Sequence, residues 1–285
     1  MDARILARLR CPVCGEPLAE TTAGTARALH CPRRHSFDVA RQGYVNLLAG
    51  RAPHTGDTAE MVAARAGFLA AGHYAIVAAA LAEATRAIAD GADEAYPLVV
   101  DAGAGTGWYL AAVLAALPDA VGLALDVAKP ALRRAARAHP RAAAALADTW
   151  QRLPLADRSA TVLLNVFAPR NGAEFHRVLD PAGALLVVTP AADHLAELVD
   201  ALDLLRVDPA KADRVAGSLS AHFTEKSATE HRARLELSRT EVATLVGMGP
   251  SAWHADPARL AERITALPDP VPVTLAVRLA VHRPR

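Results

Sequence analysis

The sequence has only three cysteines, Cys11, Cys14 and Cys31, and all of them lie in one short segment. An odd number of cysteines confined to one segment argues against a framework of disulfide bonds. Hydrophobic residues make up 52% of the chain and charged residues 21%, so a sizeable core can form and wholesale disorder is excluded.

Long hydrophobic runs are also absent. No uninterrupted apolar stretch reaches the roughly 18–20 residues that a membrane-spanning helix requires. The stretch that comes nearest to such a run, residues 110–127, is interrupted by Pro118 and Asp119. The first ten residues place arginines at positions 4, 8 and 10 among apolar residues, which is unlike a secretory signal. We therefore expect a cytoplasmic protein with no membrane partner.

The formal net charge of +1 gives no support for a nucleic-acid partner, but the distribution of charge is uneven. Residues 1–54 contain eight arginines and four acidic residues, a balance of +4, which leaves −3 for the remainder. A mildly basic segment attached to a mildly acidic domain is compatible with RNA contact. An ordinary solvated arginine-rich surface explains the charge equally well.

From Pro97 onward, short apolar strands alternate with helices, which is typical of βαβ units around a parallel sheet. The predicted strands cover residues 98–100, 122–125, 143–146, 161–166 and 184–189, and the predicted helices cover residues 110–117, 130–138 and 174–179. Residues 192–232 are predicted to be mainly helical. Residues 234–237 and 273–281 alternate like two late strands that would pair as an antiparallel edge.

The cysteines and one histidine form two pairs with the spacing of a zinc site. Cys11-Pro-Val-Cys14 and, sixteen residues later, Cys31-Pro-Arg-Arg-His35 provide three thiols and an imidazole. Zinc takes four such ligands in a tetrahedron when a hairpin brings the pairs together. His30 is a rival fourth ligand, but it would strain the chelate because it is adjacent to Cys31. Four protein ligands leave no open position, which predicts a structural metal.

A glycine-rich loop follows the first predicted strand of the large domain, in the order Asp101-Ala-Gly103-Ala-Gly105-Thr106-Gly107. Glycines allow the backbone to turn tightly and to approach a ligand without an intervening Cβ. A dinucleotide-binding loop reads G-x-G-x-x-G, whereas these glycines are spaced G-x-G-x-G and follow an acidic residue. A carboxylate at this strand end suits a cationic amino-acid tail better than it suits phosphates.

Two further acidic residues follow the next two strands. Asp126 ends the second strand, where a carboxylate can accept both hydroxyls of a ribose. Asp148 lies just past the third strand, in position to meet an adenine amino group. The glycine loop followed by these acids resembles the class I S-adenosylmethionine-dependent methyltransferases. That resemblance implies a Rossmann-like α/β sheet with S-adenosyl-L-methionine as cofactor.

The whole chain resembles the RlmA-type 23S rRNA (guanine-N1) methyltransferases, and especially their actinomycete branch, which includes the tylosin-resistance enzyme. The resemblance is carried by both zinc pairs, by residues 36–48 and 56–74, and by Val166-Phe-Ala-Pro-Arg-Asn171, Asp193-His-Leu-Ala-Glu-Leu198 and Met248-Gly-Pro-Ser-Ala-Trp-His254. It covers nearly the whole sequence and is most specific in the N-terminal third.

The resemblance implies a substrate and further site residues. The four residues of the zinc site hold a structural Zn²⁺, and Tyr74, Gly105, Thr106 and His194 contact the cofactor. The family methylates N1 of a guanine in hairpin 35 of 23S rRNA, and this branch targets position 748 and confers resistance to tylosin-type macrolides. The implied partner is therefore a 23S rRNA hairpin, and a homodimer is compatible with the resemblance.

Three regions are predicted along the chain. Residues 1–50 form a zinc-binding RNA-recognition module, and residues 51–95 form a helical linker that contributes to the cofactor site. Residues 96–285 form the Rossmann-like methyltransferase domain. Within the linker, residues 60–69 and 74–89 show apolar residues at helical spacing.

Alternatives to this function stay open. The neighbouring position 745 of the same hairpin is one, and a small-molecule methyltransferase with a purely structural zinc knuckle is another. The latter is distinguished by whether Arg27, Arg33, Arg34 and Arg41 form one face toward the cofactor cleft. A third is a zinc-ribbon adaptor with an inactive cofactor fold, against which the intact loop and acids argue.

Asn165 and Trp253 have no assigned role in the predicted site. Asn165 belongs to the loop 165–170, which borders the expected base pocket and offers backbone carbonyls but no carboxylate. A general base is needed to remove the N1 proton, and none is identified. Trp253 either packs in the core or stacks on a base.

Overall fold

The computed structural model describes residues 1–23, 26–50, 56–91, 96–204, 217–249 and 256–285. Its helices are α1 (Ala3–Leu6), α2 (Ala59–Ala70), α3 (Ala75–Ala89), α4 (Trp108–Ala116), α5 (Lys129–Ala135), α6 (Gly172–Val178), α7 (Ala196–Leu202), α8 (Arg239–Gly247) and α9 (Pro257–Ala266). Its strands are β1 (Ala19–Ala23), β2 (Ala26–His30), β3 (Ser36–Asp38), β4 (Val45–Asn46), β5 (Leu98–Ala102), β6 (Val121–Asp126), β7 (Ala142–Leu146), β8 (Ala160–Val166), β9 (Leu179–Pro190), β10 (Phe223–Leu237) and β11 (Val271–Pro284).

Eight strands form one mixed sheet in the order β10-β11-β9-β8-β5-β6-β7-β4. Strands β4 to β9 pair in parallel, whereas β11 is antiparallel to both β9 and β10. A separate three-stranded antiparallel sheet, β1-β2-β3, lies in the N-terminal segment. The strand order reverses between β5 and β8, and such a reversal opens a crevice at the carboxyl ends of the two strands.

The five strands predicted from Pro97 onward are confirmed as β5 to β9, and the two predicted late strands are confirmed as β10 and β11. Strands β5 and β8 are buried along their whole length, as expected for parallel strands that are covered on both faces. β11 lies inside the sheet, so of the two late strands only β10 forms an edge.

The predicted helical stretch 192–232 is wrong in its last part. Among the described residues, α7 and a turn at 217–220 are helical, residues 205–216 lie outside the description, and β10 begins at Phe223. The charged residues that favoured a solvated helix alternate instead along the edge strand, where Glu225, Glu230 and Arg232 are exposed. Charged side chains at an edge discourage pairing with another chain.

Helices α2, α3, α4 and α8 cover one face of the sheet. Leu81, Leu110 and Val242 on these helices are completely buried in a core that includes Val99 and Leu164 of the sheet. Among the described residues no single helix is long and apolar enough to cross a membrane; only α2 and α3 meet those criteria together, and they are bent by 80° at their break.

Side-chain caps determine where two of these helices begin. The Thr58 hydroxyl accepts the Met61 backbone N–H at 3.2 Å and starts α2. Ser238 and Glu241 form a reciprocal capping box that starts α8. Each cap contributes about 1 kcal/mol by satisfying backbone donors that the first helical turn leaves unpaired.

The opposite face of the sheet is covered by α6 and by the N-terminal segment. Leu9 and Leu29 of that segment are completely buried in one core with Leu123 of β6 and Phe175 of α6. Burial of a leucine side chain contributes about 2 kcal/mol. The N-terminal segment is therefore packed into the large domain as part of its core.

Backbone contacts join the same two parts. The Arg10 N–H donates to the Pro154 carbonyl at 3.0 Å, and the Ala156 N–H donates to the Arg8 carbonyl at 2.9 Å. Strand β4, inside the predicted module, pairs with β7 of the large sheet. The predicted boundaries at residues 50 and 95 adjoin stretches 51–55 and 92–95, which lie outside the described residues.

Candidate functional site

The structure brings the three cysteines and His35 together at one end of the N-terminal sheet. One ligand atom from each of the four residues lies within 4.8 Å of the others. Each pair sits in a tight turn: the Gly15 N–H donates to the Cys11 carbonyl at 2.8 Å, and the Arg34 N–H donates to the Cys31 carbonyl at 2.9 Å. Gly15 (φ +77°) and Arg34 (φ +66°) are left-handed, which closes the turns.

The separations fit tetrahedral zinc. Zn–S bonds of about 2.3 Å and Zn–N bonds of about 2.1 Å place two sulfurs about 3.8 Å apart and a sulfur and a nitrogen about 3.6 Å apart. The Cys14 and Cys31 Sγ atoms are 3.7 Å apart, and the His35 Nδ1 lies 3.5 Å from Cys11 Sγ and 3.3 Å from Cys31 Sγ. The rival ligand His30 is not a member of the cluster.

The surroundings of Cys31 favour the thiolate that zinc requires. Burial opposes ionisation, but hydrogen bonds from the backbone of His35 and Arg33 and from Cys14 outweigh it and lower the pKa of Cys31 to about 7. The donor set, the distances and this environment together suit a four-coordinate structural metal.

The glycine loop lies at the carboxyl end of β5, inside the crevice. Gly103 (φ +83°), Gly105 (φ +54°) and Gly107 (φ +76°) all adopt left-handed conformations, which explains why glycine occupies each position. A Cβ on Gly103 would also collide with the Cβ of Ala168, in the loop after β8. Thr106, which lies between Gly105 and Gly107 in the sequence, is buried. Helix α4 begins directly after Gly107.

Asp101 is buried at the end of β5, and among the described residues neither of its carboxylate oxygens has a hydrogen-bond partner. Burial, reinforced by the nearby charge of Asp126, raises the pKa of Asp101 to about 8. An unpaired buried carboxylate is unfavourable, and it indicates a donor or cation supplied by a ligand. An ammonium group, as in an amino-acid tail, would meet this need.

Asp126 lies at the end of β6, the strand next to β5. Its two carboxylate oxygens accept the N–H groups of Gly105 and Ala128, each at 2.8 Å. Burial raises the pKa of Asp126, although these two hydrogen bonds act against the shift. The carboxylate therefore fixes the middle of the glycine loop and keeps lone pairs for further donors. Asp148, beyond β7, is buried and accepts the Trp150 N–H at 2.9 Å.

Tyr74 and His194 meet across the crevice although 120 residues separate them. The Tyr74 hydroxyl lies 3.4 Å from His194 Nε2, and the Ala276 N–H donates to His194 Nδ1 at 3.3 Å. Because Nδ1 accepts, the neutral ring carries its proton on Nε2 and donates to the tyrosine oxygen. Burial raises the pKa of Tyr74, so the phenol stays neutral.

An ion pair beside the glycine loop was not assigned a role from sequence. Arg65 of α2 pairs with Asp57, and its guanidinium would lie 3.8 Å from a Cβ on Gly105. Arg65 also donates to the Met248 carbonyl at 2.8 Å, which ties α2 to the end of α8. Both residues belong to the segment that carries the family resemblance, so a signal for them was present. Trp253 lies outside the described residues.

The glycine loop with its acids on a Rossmann-like sheet, and the four-ligand zinc ribbon packed on that sheet, define a class I methyltransferase with a zinc-ribbon module. A zinc-ribbon family model described as RlmA, N-terminal, matches residues 9–52.

Two relatives extend the match to the whole chain, and a third extends it to most of the chain. A Micromonospora griseorubida protein assigned as a 23S rRNA (guanine-N(1)-)-methyltransferase is 68% identical over 100% of both chains. The 23S rRNA (guanine(748)-N(1))-methyltransferase of Streptomyces fradiae is 52% identical over 100% of this chain and 99% of its own. YxjB of Bacillus subtilis, assigned like the first, is 32% identical over 86% of this chain and 87% of its own. The chain belongs to the family of 23S rRNA (guanine-N1)-methyltransferases.

The zinc cluster makes a testable prediction. Purified protein should contain one zinc per chain, and Cys31→Ser should reduce zinc far below one equivalent because it removes one of four ligands. The thermal midpoint should fall too, since the module shares a core with the large sheet. Elemental analysis and thermal denaturation measure both, and His30→Gln, outside the cluster, should keep its zinc. Zinc-free wild-type protein, or fully metallated Cys31→Ser protein, would contradict the assignment.

The raised pKa of Asp101 leads us to expect that the stability of the ligand-free protein depends on pH. Its pKa is raised from an ordinary 3.8 to about 8 by folding, so its contribution to stability is fully present below about pH 4 and is lost as pH rises toward 8. The free energy of unfolding of ligand-free protein, relative to Asp101→Asn, should therefore fall by up to about 1.4 kcal/mol per pH unit in this window. Urea unfolding of both proteins between pH 5 and pH 8 tests this, and parallel curves would refute it.

Proposed function

We propose that this protein methylates N1 of a guanine in hairpin 35 of 23S rRNA, at position 748, with S-adenosyl-L-methionine as the methyl donor. The observation that carries the proposal is the end-to-end identity of 52% with a methyltransferase whose name specifies guanine 748. A crevice whose buried Asp101 carboxyl group has no hydrogen-bond partner within the described ranges supports it independently.

The residues predicted from sequence to contact the cofactor each have a role in this proposal. The unpaired Asp101 carboxylate holds the ammonium group of the cofactor, and the backbone of Gly103, Gly105, Thr106 and Gly107 approaches it closely. Asp126 accepts the ribose hydroxyls. When bound, S-adenosyl-L-methionine supplies an electrophilic methyl group for in-line displacement, so the protein mainly positions the reactants.

The remaining cofactor contacts come from three different parts of the chain. Asp148 meets the adenine amino group, and Tyr74 and His194 close the crevice from α3 and from the segment after β9. The neutral Tyr74 phenol, which accepts from His194, keeps its own proton available for donation. No general base is assigned for the guanine N1 proton.

The proposed RNA-binding surface begins on the zinc module. Arg27, Arg33, Arg34 and Arg41 are all exposed. Arg27 is held by Glu20 at 2.5 Å, whereas the Arg33 guanidinium lies 3.8 Å from the nearest Glu16 oxygen. Loosely paired arginines suit phosphate contacts, which set affinity without reading sequence. Exposed arginines on the module are thus available for contact with an RNA backbone.

One chain segment connects the crevice with the module. The segment after Asp148 passes Trp150, whose side chain is 54% exposed, and reaches Pro154, whose carbonyl accepts the Arg10 N–H. We propose that RNA held on the module reaches the crevice along this segment. We accordingly retain residues 1–50 as the RNA-recognition module, 51–95 as the linker that contributes to the cofactor site and 96–285 as the methyltransferase domain.

The position of the linker agrees with its proposed part in the cofactor site. A Cβ on Gly56 would lie 2.8 Å from the Cβ of Ala128, two residues after Asp126, and Arg65 adjoins Gly105. By its proposed activity the protein acts in the cytoplasm and confers resistance to tylosin-type macrolides. A homodimer stays a prediction, which sedimentation equilibrium checks.

Primer extension on 23S rRNA tests the proposed function. A methyl group on guanine N1 blocks the Watson–Crick edge, so reverse transcriptase should stop one nucleotide before position 748 in cells that express the protein. Asp126→Ala serves as the control and should weaken the stop, because it removes a carboxylate from the cofactor crevice. A stop before position 745 would mean that the protein methylates that guanine instead. The absence of any new stop would refute the proposed function.

If the module binds the RNA and the crevice binds the cofactor, substitutions in the module should affect RNA binding alone. Arg33→Ala with Arg34→Ala should raise the KM for a 23S rRNA hairpin and lower the slope of log affinity against log salt by about 1 to 2, as lost phosphate contacts do. Affinity for S-adenosyl-L-methionine should not change, because neither residue contacts the crevice.

The matched control is Arg133→Ala with Arg134→Ala, a second exposed, adjacent arginine pair, on α5 of the large domain. Zinc content is measured first, since the tested pair adjoins a ligand turn. If the Arg33/Arg34 variant keeps its zinc and retains the wild-type KM and salt slope, the module does not bind the RNA.

A further inference from the structure

Phe167 differs from the other phenylalanines of the chain in its exposure. Phe68, Phe175 and Phe223 are at most 2% exposed and Phe37 is half-buried, whereas Phe167 is 42% exposed. It lies just after β8, at the end of the strand that borders the crevice together with β5. A single exposed apolar residue is common, but here it faces a site rather than an ordinary surface.

The backbone holds Phe167 in an uncommon conformation. Its φ of +53° lies in the left-handed region, which is unfavourable for a bulky side chain and persists only where the surroundings enforce it. The Phe167 N–H donates to the Val188 carbonyl at 3.1 Å, and Asn165 Nδ2 donates to the Pro169 carbonyl at 2.8 Å. Ala168 adjoins Gly103, so the loop is also fixed against the glycine loop.

The ring neighbours of Phe167 are the two residues proposed to close the cofactor crevice. The Phe167 ring meets the Tyr74 ring edge-on with centroids 6.2 Å apart, and it lies within 25° of parallel to the His194 ring at 6.1 Å. One part of the ring is thereby supported by protein, and the rest is open to solvent beside the place where a methyl donor would bind.

We propose that Phe167 is the stacking platform for the target guanine. This inference rests on the proposed function and specifies how its substrate is held. A base that leaves its helical stack loses stacking with its neighbours, and a partly exposed aromatic ring at the crevice can replace that interaction. The enforced backbone conformation keeps the ring in the open crevice, and contact with Tyr74 and His194 fixes its orientation. Phe167 is thus a positioning residue for guanine.

The test compares Phe167→Ala, Phe167→Leu and Phe167→Trp on an unmodified 23S rRNA transcript. Loss of one base–aromatic stack should lower kcat/KM for the RNA by about 10- to 100-fold in the alanine variant. The leucine variant should stay impaired because it is apolar but has no ring, and the tryptophan variant should recover most of the activity. Binding of S-adenosyl-L-methionine, measured by calorimetry, should change less than threefold. Tyr96→Ala, an exposed aromatic at the opposite end of β5, is the control and should be unaffected.

A second readout distinguishes stacking from support of the cofactor site. With 2-aminopurine in place of the target guanine, wild-type protein and Phe167→Ala should give different fluorescence at saturation, because only the wild type stacks the base. Full activity of the leucine variant, or a loss confined to cofactor affinity, would overturn the proposal. Inactivity of the wild-type protein on the transcript would overturn the proposed function itself, and the stacking role with it.

Discussion

The central parallel strands must be buried on both faces, and the rest of the molecule follows from that requirement. Helices cover one face of β5 and β8, and α6 with the zinc-bearing N-terminal segment covers the other. The metal cluster therefore does more than order a small surface domain, because the segment it ties together supplies Leu9 and Leu29 to the core of the large sheet. Zinc binding and folding of the methyltransferase domain are consequently coupled through shared apolar contacts.

Covering both faces leaves the carboxyl ends of the strands as the place where ligands enter, and the polar groups there are incompletely satisfied. Asp101 is buried without a hydrogen-bond partner in the described part of the chain, while Asp126 holds the glycine loop through two backbone N–H groups. Arg65 adds a positive charge beside the loop but is paired with Asp57. This arrangement is unfavourable for the stability of the ligand-free protein, because a buried carboxyl group without a hydrogen bond is not compensated for its lost hydration.

Much of the fold and site could be predicted from sequence. Strands β5 to β9 could be predicted because each is a short apolar run that is recognisable without knowledge of its neighbours in the sheet. The cysteine spacing already indicated a tetrahedral metal site. The last part of the stretch 192–232 was predicted wrongly as helical, because charged residues on an exposed edge strand resemble those of a solvated helix when the neighbouring strand is unknown. Arg65 and Phe167 had no assigned role because their importance depends on residues far away in the chain.

The sequence by itself determined the features that depend on neighbouring residues: the glycines where φ is positive, the ligand pairs in tight turns, and the alternation of strands with helices. Each of these is set by steric limits on a few consecutive residues. Only the tertiary structure decided that Tyr74, Phe167 and His194 meet at one crevice, that Arg65 reaches Met248, and that the zinc module fills a face of the sheet. These contacts depend on strand order and on which face each element covers, because side chains distant in sequence become neighbours only when the sheet is assembled.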